Sequence, residues 1–203
     1  MDYILVFFFS YLSGSIPFGL ILTKFFGSKD LRKIGSGNIG ATNVLRTGNK
    51  YLALATLILD AIKGFIPVVI CQKYFPELIQ ISALLVFLGH VFPVWLKFVG
   101  GKGVATYLGV LFAISLSSSF IFIFTWIIIA LIFNYSSVSS IFSTLTVLVV
   151  NIVRSNVVAS IKPDQTFNND INFILFIFFI LIIFTHRNNI SNLKNKNEKK
   201  IKI

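Results

Sequence analysis

Residues 35–48, GSGNIGATNVLRTG, combine residue types that can bind an anion. Glycines allow positive φ angles and close backbone approach, so a loop of this kind can point several N–H groups at one anion. Arg46 adds a guanidinium fork that suits a phosphate group. A simple flexible loop is an open alternative for this run taken alone, because glycine and asparagine are common turn residues. The side-chain donors of the run are Ser36, Asn38, Thr42 and Asn43.

Residues 88–106, LGHVFPVWLKFVGGKGVAT, contain a second glycine-rich run with a cation. We expect residues 100–103 to form a tight turn around Lys102, followed by a helix whose first N–H groups would face an anion. The run is not a Walker A loop, because Lys102 is followed by Gly103 rather than by Ser or Thr. His90 either packs between helices through a hydrogen bond or belongs to the site. The candidate binding residues of this segment are His90, Gly101, Lys102 and Gly103.

Residues 185–200, THRNNISNLKNKNEKK, form a third polar cluster. His186 is the best candidate for a general base, because an imidazole titrates near neutral pH. Arg187 either binds substrate or anchors the end of the last helix at the membrane interface. Asn189 and Glu198 are the other candidate groups. Neither histidine is followed five residues later by an aspartate, the spacing of acyltransferases in which a carboxylate assists the imidazole.

Two ionisable residues, Asp60 and Lys63, lie in an otherwise apolar stretch. Their spacing of three places them on one face of a helix. Because ionisable groups in a membrane span are costly unless they are paired or functional, the pattern favours one of two structural roles over direct catalysis. Either Asp60 and Lys63 pair with each other, or one of them pairs with a loop group.

No metal ion or cofactor is predicted. The single cysteine, Cys71, excludes a multi-cysteine metal site, and neither histidine lies near a set of carboxylates.

The composition indicates an integral membrane protein. Hydrophobic residues make up 56 % of the 203 residues and charged residues only 12 %, whereas a typical soluble domain carries about 25 % charged residues. We therefore predict an all-α bundle of membrane helices. One domain would span residues 1–203, with a short basic cytoplasmic tail at 186–203. The first apolar stretch has no basic residue before it and no small-residue cleavage site after it, so it is predicted to be a retained helix.

The net charge of +11 is explained by the topology rather than by nucleic-acid binding. Basic residues concentrate in 24–50, 97–102 and 187–203, including Lys29 and Lys202, and the excess of Lys and Arg in cytoplasmic loops places all three segments on one side. We predict no nucleic-acid partner.

The apolar stretches set the number of spans. The stretch 104–133 is either one overlong helix or two short helices broken at SLSSS, 115–119. Only the split brings the tail to the same side as the other basic segments. We therefore predict about seven transmembrane helices, with the N-terminus outside and the C-terminus in the cytoplasm. The clearest stretches are 3–26, 51–72, 79–99, 136–153 and 171–185.

The three polar clusters resemble, in order along essentially the whole chain, the three signature regions of the bacterial acyl-phosphate-dependent glycerol-3-phosphate acyltransferases, the PlsY family. GSGNIGATNVLRTG resembles the first signature, and the preceding GSIPFG at 14–19 also fits. GHVFPVWLKFVGGKGVAT resembles the second. HRNNISNLKNKNE resembles the third, although Asn192 stands where a basic residue is usual and Lys196 where a glycine is usual.

The resemblance implies a seven-helix enzyme of the bacterial cytoplasmic (inner) membrane, with its active site toward the cytoplasm. It implies transfer of an acyl group from acyl phosphate to the 1-hydroxyl of sn-glycerol 3-phosphate. The products would be lysophosphatidic acid and phosphate, in the first acylation step of phospholipid biosynthesis. Membrane lipid and the enzyme that forms acyl phosphate are the expected partners.

Under this interpretation, five residues form a phosphate-binding floor: Ser36, Arg46, Lys102, His186 and Asn189. Acyl phosphate is an activated mixed anhydride, so no covalent enzyme intermediate is needed. Ser36, Lys102 and His186 are the candidate catalytic residues. A substrate phosphate, instead of His186, could take the proton of the hydroxyl group.

The main alternative is a small membrane transporter or channel for phosphorylated metabolites, which could also use polar glycine loops and the intramembrane Asp60 and Lys63. The placement of all three clusters on one face argues against it, because alternating access needs a site near the midplane. A structural subunit that binds lipid or peptide is a third interpretation.

Overall fold

The computed structural model describes residues 2–26, 30–161 and 169–201, and within these ranges the chain is helical and contains no strand. Lys29 and Lys202, two of the basic residues counted for the topology, lie outside the described residues. Short 3₁₀ helices cover Leu31–Lys33, Pro76–Leu78 and Val94–Leu96. The α-helices are α1 (Asp2–Ser15), α2 (Phe18–Phe25), α3 (Ala41–Leu45), α4 (Lys50–Tyr74), α5 (Ile79–Val91), α6 (Val104–Ile114), α7 (Leu116–Phe133), α8 (Ser136–Ile161), α9 (Asn169–Thr185) and α10 (Arg187–Lys194).

The chain divides into two compact units, Met1–Ile114 and Ser115–Ile203. Their boundary is the predicted break in 104–133, which is confirmed: α6 ends at Ile114 and α7 begins at Leu116. Ser115 has an extended backbone, and its side chain accepts a hydrogen bond from the backbone N–H of Ser118. A serine at this N-cap position satisfies an N–H group that the first turn of a helix leaves unpaired.

Several helices are long and apolar enough to cross a membrane. Among the described residues these are α4, the segment Pro76–Leu96, α7 and α8. Two bent helix pairs, α1 with α2 and α9 with α10, would raise the number to six, and α6 is a shorter apolar helix. The protein is thus an integral membrane protein, while the count of seven spans and the sides of the termini stay predictions.

Proline interrupts the α-helix in two of the predicted spans. The stretch 3–26 is not one helix, because α1 and α2 meet at an angle of 42° around Pro17, which has no N–H group to continue a helix. In the stretch 79–99 the α-helix ends at Val91, since Pro93 disfavours helical geometry in the residue before it, and a 3₁₀ helix follows at Val94–Leu96. The segment Pro76–Leu96 as a whole is still long and apolar enough to be one span.

Unit 1 packs its helices through glycines. A Cβ atom on Gly64 of α4 would overlap the backbone of Thr106 in α6, and one on Gly109 of α6 would overlap the backbone of Ala61 in α4. The same close approach joins α1 to α5, where Gly14 lies against Val86. Small residues at such contacts let membrane helices approach closely enough for dense van der Waals packing.

The predicted ion pair between Asp60 and Lys63 is confirmed. Lys63 Nζ lies 2.7 Å from Asp60 Oδ1, and each side chain is only 3 % exposed. Lys63 Nζ also donates a 2.6 Å hydrogen bond to the carbonyl of Ile16, the residue at the break between α1 and α2. The pair therefore connects α4 to that break.

Unit 2 joins its helices through polar side chains. Asn151 of α8 donates to Ser118 Oγ of α7 at 3.0 Å, and Trp126 of α7 donates to Ser140 Oγ of α8 at 3.2 Å. Hydrogen bonds of this kind help to hold helices together where lipid gives no hydrophobic driving force. After α9 the chain continues into the polar segment of residues 186–201.

Candidate active site

The first loop, residues 35–48, is organised by the side chain of Asn43. Its amide Nδ2 donates to the carbonyls of Leu31, Ile34 and Asn38 at 2.8, 3.1 and 2.7 Å. Its Oδ1 accepts from the N–H of Ser36 at 3.1 Å. Asn43 is 2 % exposed and shapes the loop through these bonds, while its predicted substrate contact stays a prediction.

Arg46, the cation of the first loop, lies against Gly35. Gly35 and Gly37 have φ angles of 57° and 69°, a conformation that favours glycine. A Cβ atom on Gly35 would meet the side chains of Asn43 and Arg46. Ser36 is exposed and Arg46 is half-buried. The loop thus holds a guanidinium group next to an exposed hydroxyl group. Of the two remaining predicted donors, Asn38 accepts from the N–H of Gly40 at 3.2 Å, and Thr42 is half-buried in α3.

The second loop, residues 97–103, folds back over the end of α5. The N–H groups of Gly100 and Gly101 donate to the carbonyls of Val91 and His90 at 3.0 and 3.1 Å. Residues 99–103 have irregular backbone, which differs from the predicted tight turn because these bonds reach back to α5. Lys102 is half-buried at the end of this segment, and the predicted helix after it is confirmed as α6.

Two of the predicted binding residues in the second loop have clear packing roles. Gly101 lies on the ring of His90, since a Cβ atom there would meet the ring nitrogen Nε2. Gly103 has a φ angle of 81° and lies on the ring of Phe87. His90 is 4 % exposed, and its Nδ1 lies 3.8 Å from Asp60 Oδ1. His90 is thus placed to hold the loop.

A residue that the sequence reasoning did not single out links the two loops. Arg32, which lies just before the first loop, donates from Nη2 to the carbonyl of Val99 in the second loop at 3.0 Å. Its place among several basic residues at 24–50 gave no signal of this contact. Unit 1 therefore brings together the loop that carries Arg46 and the loop that carries Lys102.

In unit 2, His186 has a defined hydrogen-bond partner. Its Nδ1 lies 2.8 Å from the carbonyl of Ile182. A carbonyl can only accept, so Nδ1 carries the hydrogen, and neutral His186 has its lone pair on Nε2. The residue is 2 % exposed. If His186 takes a proton, Nε2 is the atom that receives it.

Asn189 and Glu198 form a pair within unit 2. The amide of Asn189 donates to Glu198 Oε1 at 2.6 Å, and the hydroxyl of Ser137 donates to the same oxygen at 3.0 Å. A carboxylate so engaged orients Asn189, and the predicted substrate contact of Glu198 stays a prediction. Ser137 was missed because it is one of several serines at the start of α8.

Arg187 contacts Phe184 at the end of α9, which fits an interface anchor, while its predicted substrate contact stays a prediction. Its Nη1 donates to the carbonyl of Phe184 at 3.1 Å, and its guanidinium carbon lies 4.5 Å from the centre of the Phe184 ring. The predicted phosphate floor has Ser36, Arg46 and Lys102 in unit 1 and His186 and Asn189 in unit 2. The meeting of these two groups stays a prediction.

The chain combines apolar helices with two cationic glycine loops and a histidine–asparagine–glutamate segment. These features define a class, namely integral membrane proteins equipped to bind an anionic ligand. Residues 4–196 match the family model described as glycerol-3-phosphate acyltransferase. The chain belongs to the glycerol-3-phosphate acyltransferase family, and its enzyme class is that of the family.

Individual relatives are similar over the full length. The chain is 53 % identical over 203 residues to the glycerol-3-phosphate acyltransferase of Pelagibacter ubique, with 100 % of each chain covered. It is 46 % identical over 204 residues to that of Wolbachia sp. subsp. Brugia malayi, with 99 % of this chain and 100 % of the relative covered.

Two crystal structures of PlsY, an integral membrane glycerol 3-phosphate acyltransferase, have the same fold. The glycerol 3-phosphate form gives a TM-score of 0.89 at 36 % identity, with 100 % of this chain and 96 % of that chain covered. The lysophosphatidic acid form gives 0.87 at 35 % identity, with 98 % and 95 % covered.

The departure at Lys196 has a structural counterpart. Lys196 has a φ angle of 58°, the left-handed conformation that glycine adopts without strain. It follows α10 in a Schellman motif, because its N–H donates to the carbonyl of Leu193 and the N–H of Asn197 donates to that of Asn192. The position demands glycine geometry, yet a lysine occupies it.

Lys196→Gly is expected to stabilise the protein by about 0.5–1 kcal/mol, because a side chain in the left-handed region costs about 1–2 kcal/mol and glycine loses some of that gain as unfolded-chain entropy. Lys194→Gly, in the last turn of α10, is the control and should destabilise by about 1 kcal/mol. Thermal unfolding in detergent compares them. Equal losses of stability in Lys196→Gly and Lys194→Gly would contradict the left-handed geometry assigned to Lys196.

Proposed function

We propose that this enzyme transfers an acyl group from acyl phosphate to the 1-hydroxyl of sn-glycerol 3-phosphate, giving lysophosphatidic acid and inorganic phosphate. The observation that carries the proposal is the pairing, within unit 1, of two glycine-rich loops that bear Arg46 and Lys102 and are tied together through Arg32. Such a pair suits a phosphate group. The glycerol 3-phosphate and lysophosphatidic acid forms of the similar PlsY support the acceptor and the product.

The proposed reaction is a direct acyl transfer. The 1-hydroxyl oxygen attacks the carbonyl carbon of acyl phosphate and forms the new ester bond. The bond from that carbon to the phosphate oxygen breaks, and its electron pair leaves with inorganic phosphate. The hydroxyl proton goes to His186 Nε2 or to a phosphate oxygen. No covalent enzyme intermediate is required, because the anhydride is already activated.

The main task of the protein is then to hold two anions close together. Each substrate carries a phosphate group, and their repulsion has to be screened where they react. Arg46 and Lys102 supply positive charge, and the hydroxyl group of Ser36 supplies a neutral donor. The acyl chain needs only apolar walls, which the membrane helices provide.

We further propose that His186 and Asn189 of unit 2 act on the same substrates. The Ile182 carbonyl fixes the tautomer of His186, and Glu198 fixes the orientation of Asn189. Membership of the family favours a location in the bacterial cytoplasmic (inner) membrane, and the basic segments favour seven spans with the site toward the cytoplasm. The expected partners are membrane lipid and the enzyme that forms acyl phosphate.

The donor is tested with purified protein in detergent. Glycerol 3-phosphate is offered with acyl phosphate, with acyl-CoA, or with acyl carrier protein loaded with the same chain. We expect lysophosphatidic acid and an equal amount of inorganic phosphate with acyl phosphate only. Lysophosphatidic acid formed from acyl-CoA, with none from acyl phosphate, would overturn the proposal that acyl phosphate is the donor. Glycerol 3-phosphate uptake into proteoliposomes without acylation would favour the transporter alternative.

Arg46→Ala and Lys102→Ala should each lower kcat/KM by about 100-fold or more, the size of effect seen when one preorganised donor to a developing charge is removed. Arg46→Lys keeps the positive charge but loses the guanidinium fork that can bind two oxygens. Its kcat/KM should therefore lie between the values of the wild type and of Arg46→Ala. Lys73→Ala, at the exposed end of α4, is the matched control. Steady-state kinetics measure all four variants, and wild-type values for Arg46→Ala or Lys102→Ala would remove that residue from the site.

His186→Asn separates catalysis from binding. If Nε2 accepts the proton, kcat should fall by about 100-fold or more. A near-normal kcat with a raised KM would instead show that His186 binds and that a substrate phosphate takes the proton. Asn188→Ala, on exposed α10, is the control. Thermal unfolding checks that the variants remain folded.

A further inference from the structure

We propose, on the basis of the function proposed above, that the buried Asp60–Lys63 pair is a positioning device for both anion-binding loops of unit 1. Neither residue lies in a loop, and neither is given a part in the chemistry. Lys63 contacts the segment that leads to the first loop, and Asp60 contacts the residue that holds the second loop. The pair would fix the distance between the two cations.

The contact toward the first loop runs through the break between α1 and α2. Lys63 Nζ donates to the carbonyl of Ile16 at 2.6 Å and lies 5.7 Å from the centre of the Phe18 ring. Beyond the break, Gly19 of α2 packs directly on the carbonyl of Ile39 in the first loop. The direction of α2 therefore depends on where Lys63 holds Ile16. The position of the first loop depends on it as well, because the loop packs on α2.

Apolar packing transmits this placement. Leu31, Ile39 and Val44 are buried in one cluster, and Leu20 and Leu22 of α2 pack against it. A tightly packed cluster moves as a unit because it has few voids to absorb a shift. A displacement of α2 would thus be felt at Arg46, two residues after Val44.

The contact toward the second loop runs through His90. Asp60 Oδ1 lies 3.8 Å from His90 Nδ1. The carbonyl of His90 accepts the N–H of Gly101 at 3.1 Å, and its ring packs on Gly101. Lys102 is the next residue. A change at Asp60 is therefore three contacts away from the cation of the second loop.

A stabilising role alone does not require charges at these positions. Well-packed apolar residues can replace a buried ion pair with little loss of stability, and often with a gain. They cannot replace the ammonium group that donates to the Ile16 carbonyl, a backbone acceptor that also takes a 3.1 Å hydrogen bond from the N–H of Phe18. Stability and positioning can therefore be separated by experiment.

The test is the double variant Asp60→Leu/Lys63→Met, which leaves no unpaired charge. We expect a thermal midpoint close to that of the wild type. KM should rise about tenfold for both glycerol 3-phosphate and acyl phosphate, the equivalent of one lost hydrogen bond. Hydrogen exchange should become faster in peptides covering 36–40 and 97–103 and stay unchanged in 187–194, which lies in unit 2.

The matched control is Ser10→Ala/Ser82→Ala. These hydroxyl groups form a buried 2.8 Å hydrogen bond between α1 and α5, away from both loops. This double variant should keep wild-type KM values and loop exchange. The single variants Asp60→Leu and Lys63→Met each leave a buried charge unpaired, so we expect both to unfold at a lower temperature than the double variant.

Two results would overturn the positioning role. One is a folded Asp60→Leu/Lys63→Met protein with wild-type KM values and loop exchange. The other is faster exchange across all of unit 1 with a lowered thermal midpoint, which would show that the pair only stabilises the fold. If the wild type makes no lysophosphatidic acid, the proposed function fails, while the exchange comparison still decides whether the pair positions the loops.

Discussion

Irregular backbone beside a membrane has to find its own hydrogen-bond partners, and most of this structure follows from that constraint. Lipid offers no donors or acceptors, so an unpaired N–H or carbonyl group costs several kcal/mol. The carbonyl of Ile16 at the helix break is met by Lys63, and the carbonyls around the first loop are met by the amide of Asn43. Ser115 caps the start of α7 in the same way. In these three places a polar side chain supplies the partner, whereas in the second loop backbone N–H groups do so.

The same need for internal hydrogen-bond partners shapes the candidate site. Asn43 and His90 are buried and hold the backbone of the two loops, and half-buried Glu198 accepts from the side chains of Asn189 and Ser137. Ser36 lies exposed, and Arg46 and Lys102 are half-buried on the loops so formed. A binding loop made of glycines has little stiffness of its own, since glycine loses more freedom on folding than any other residue. Its shape is therefore supplied by the side chains beneath it.

Much of the fold was accessible from the sequence because lipid makes strong demands on composition. Long apolar stretches become helices, and the split of 104–133 could be inferred from the serines and the distribution of Lys and Arg. The Asp60–Lys63 pair could be inferred because charges in a span need partners. The break at Pro17 was missed because apolarity continues through it, although a proline interrupts the helix there.

The sequence by itself determined the family, the membrane class and the residues of the three polar clusters, because each depends on composition or on local order along the chain. The tertiary structure decided which of those residues face outward and which serve the backbone. Asn43 and Glu198 look like ligand-binding groups in the sequence, and only the structure reveals their hydrogen bonds, which join residues 5 to 61 positions apart. The Arg32 bond to Val99, across 67 residues, has no local signature at all. Such partners are set by how helices pack, and packing depends on the whole surface of each helix rather than on any short motif.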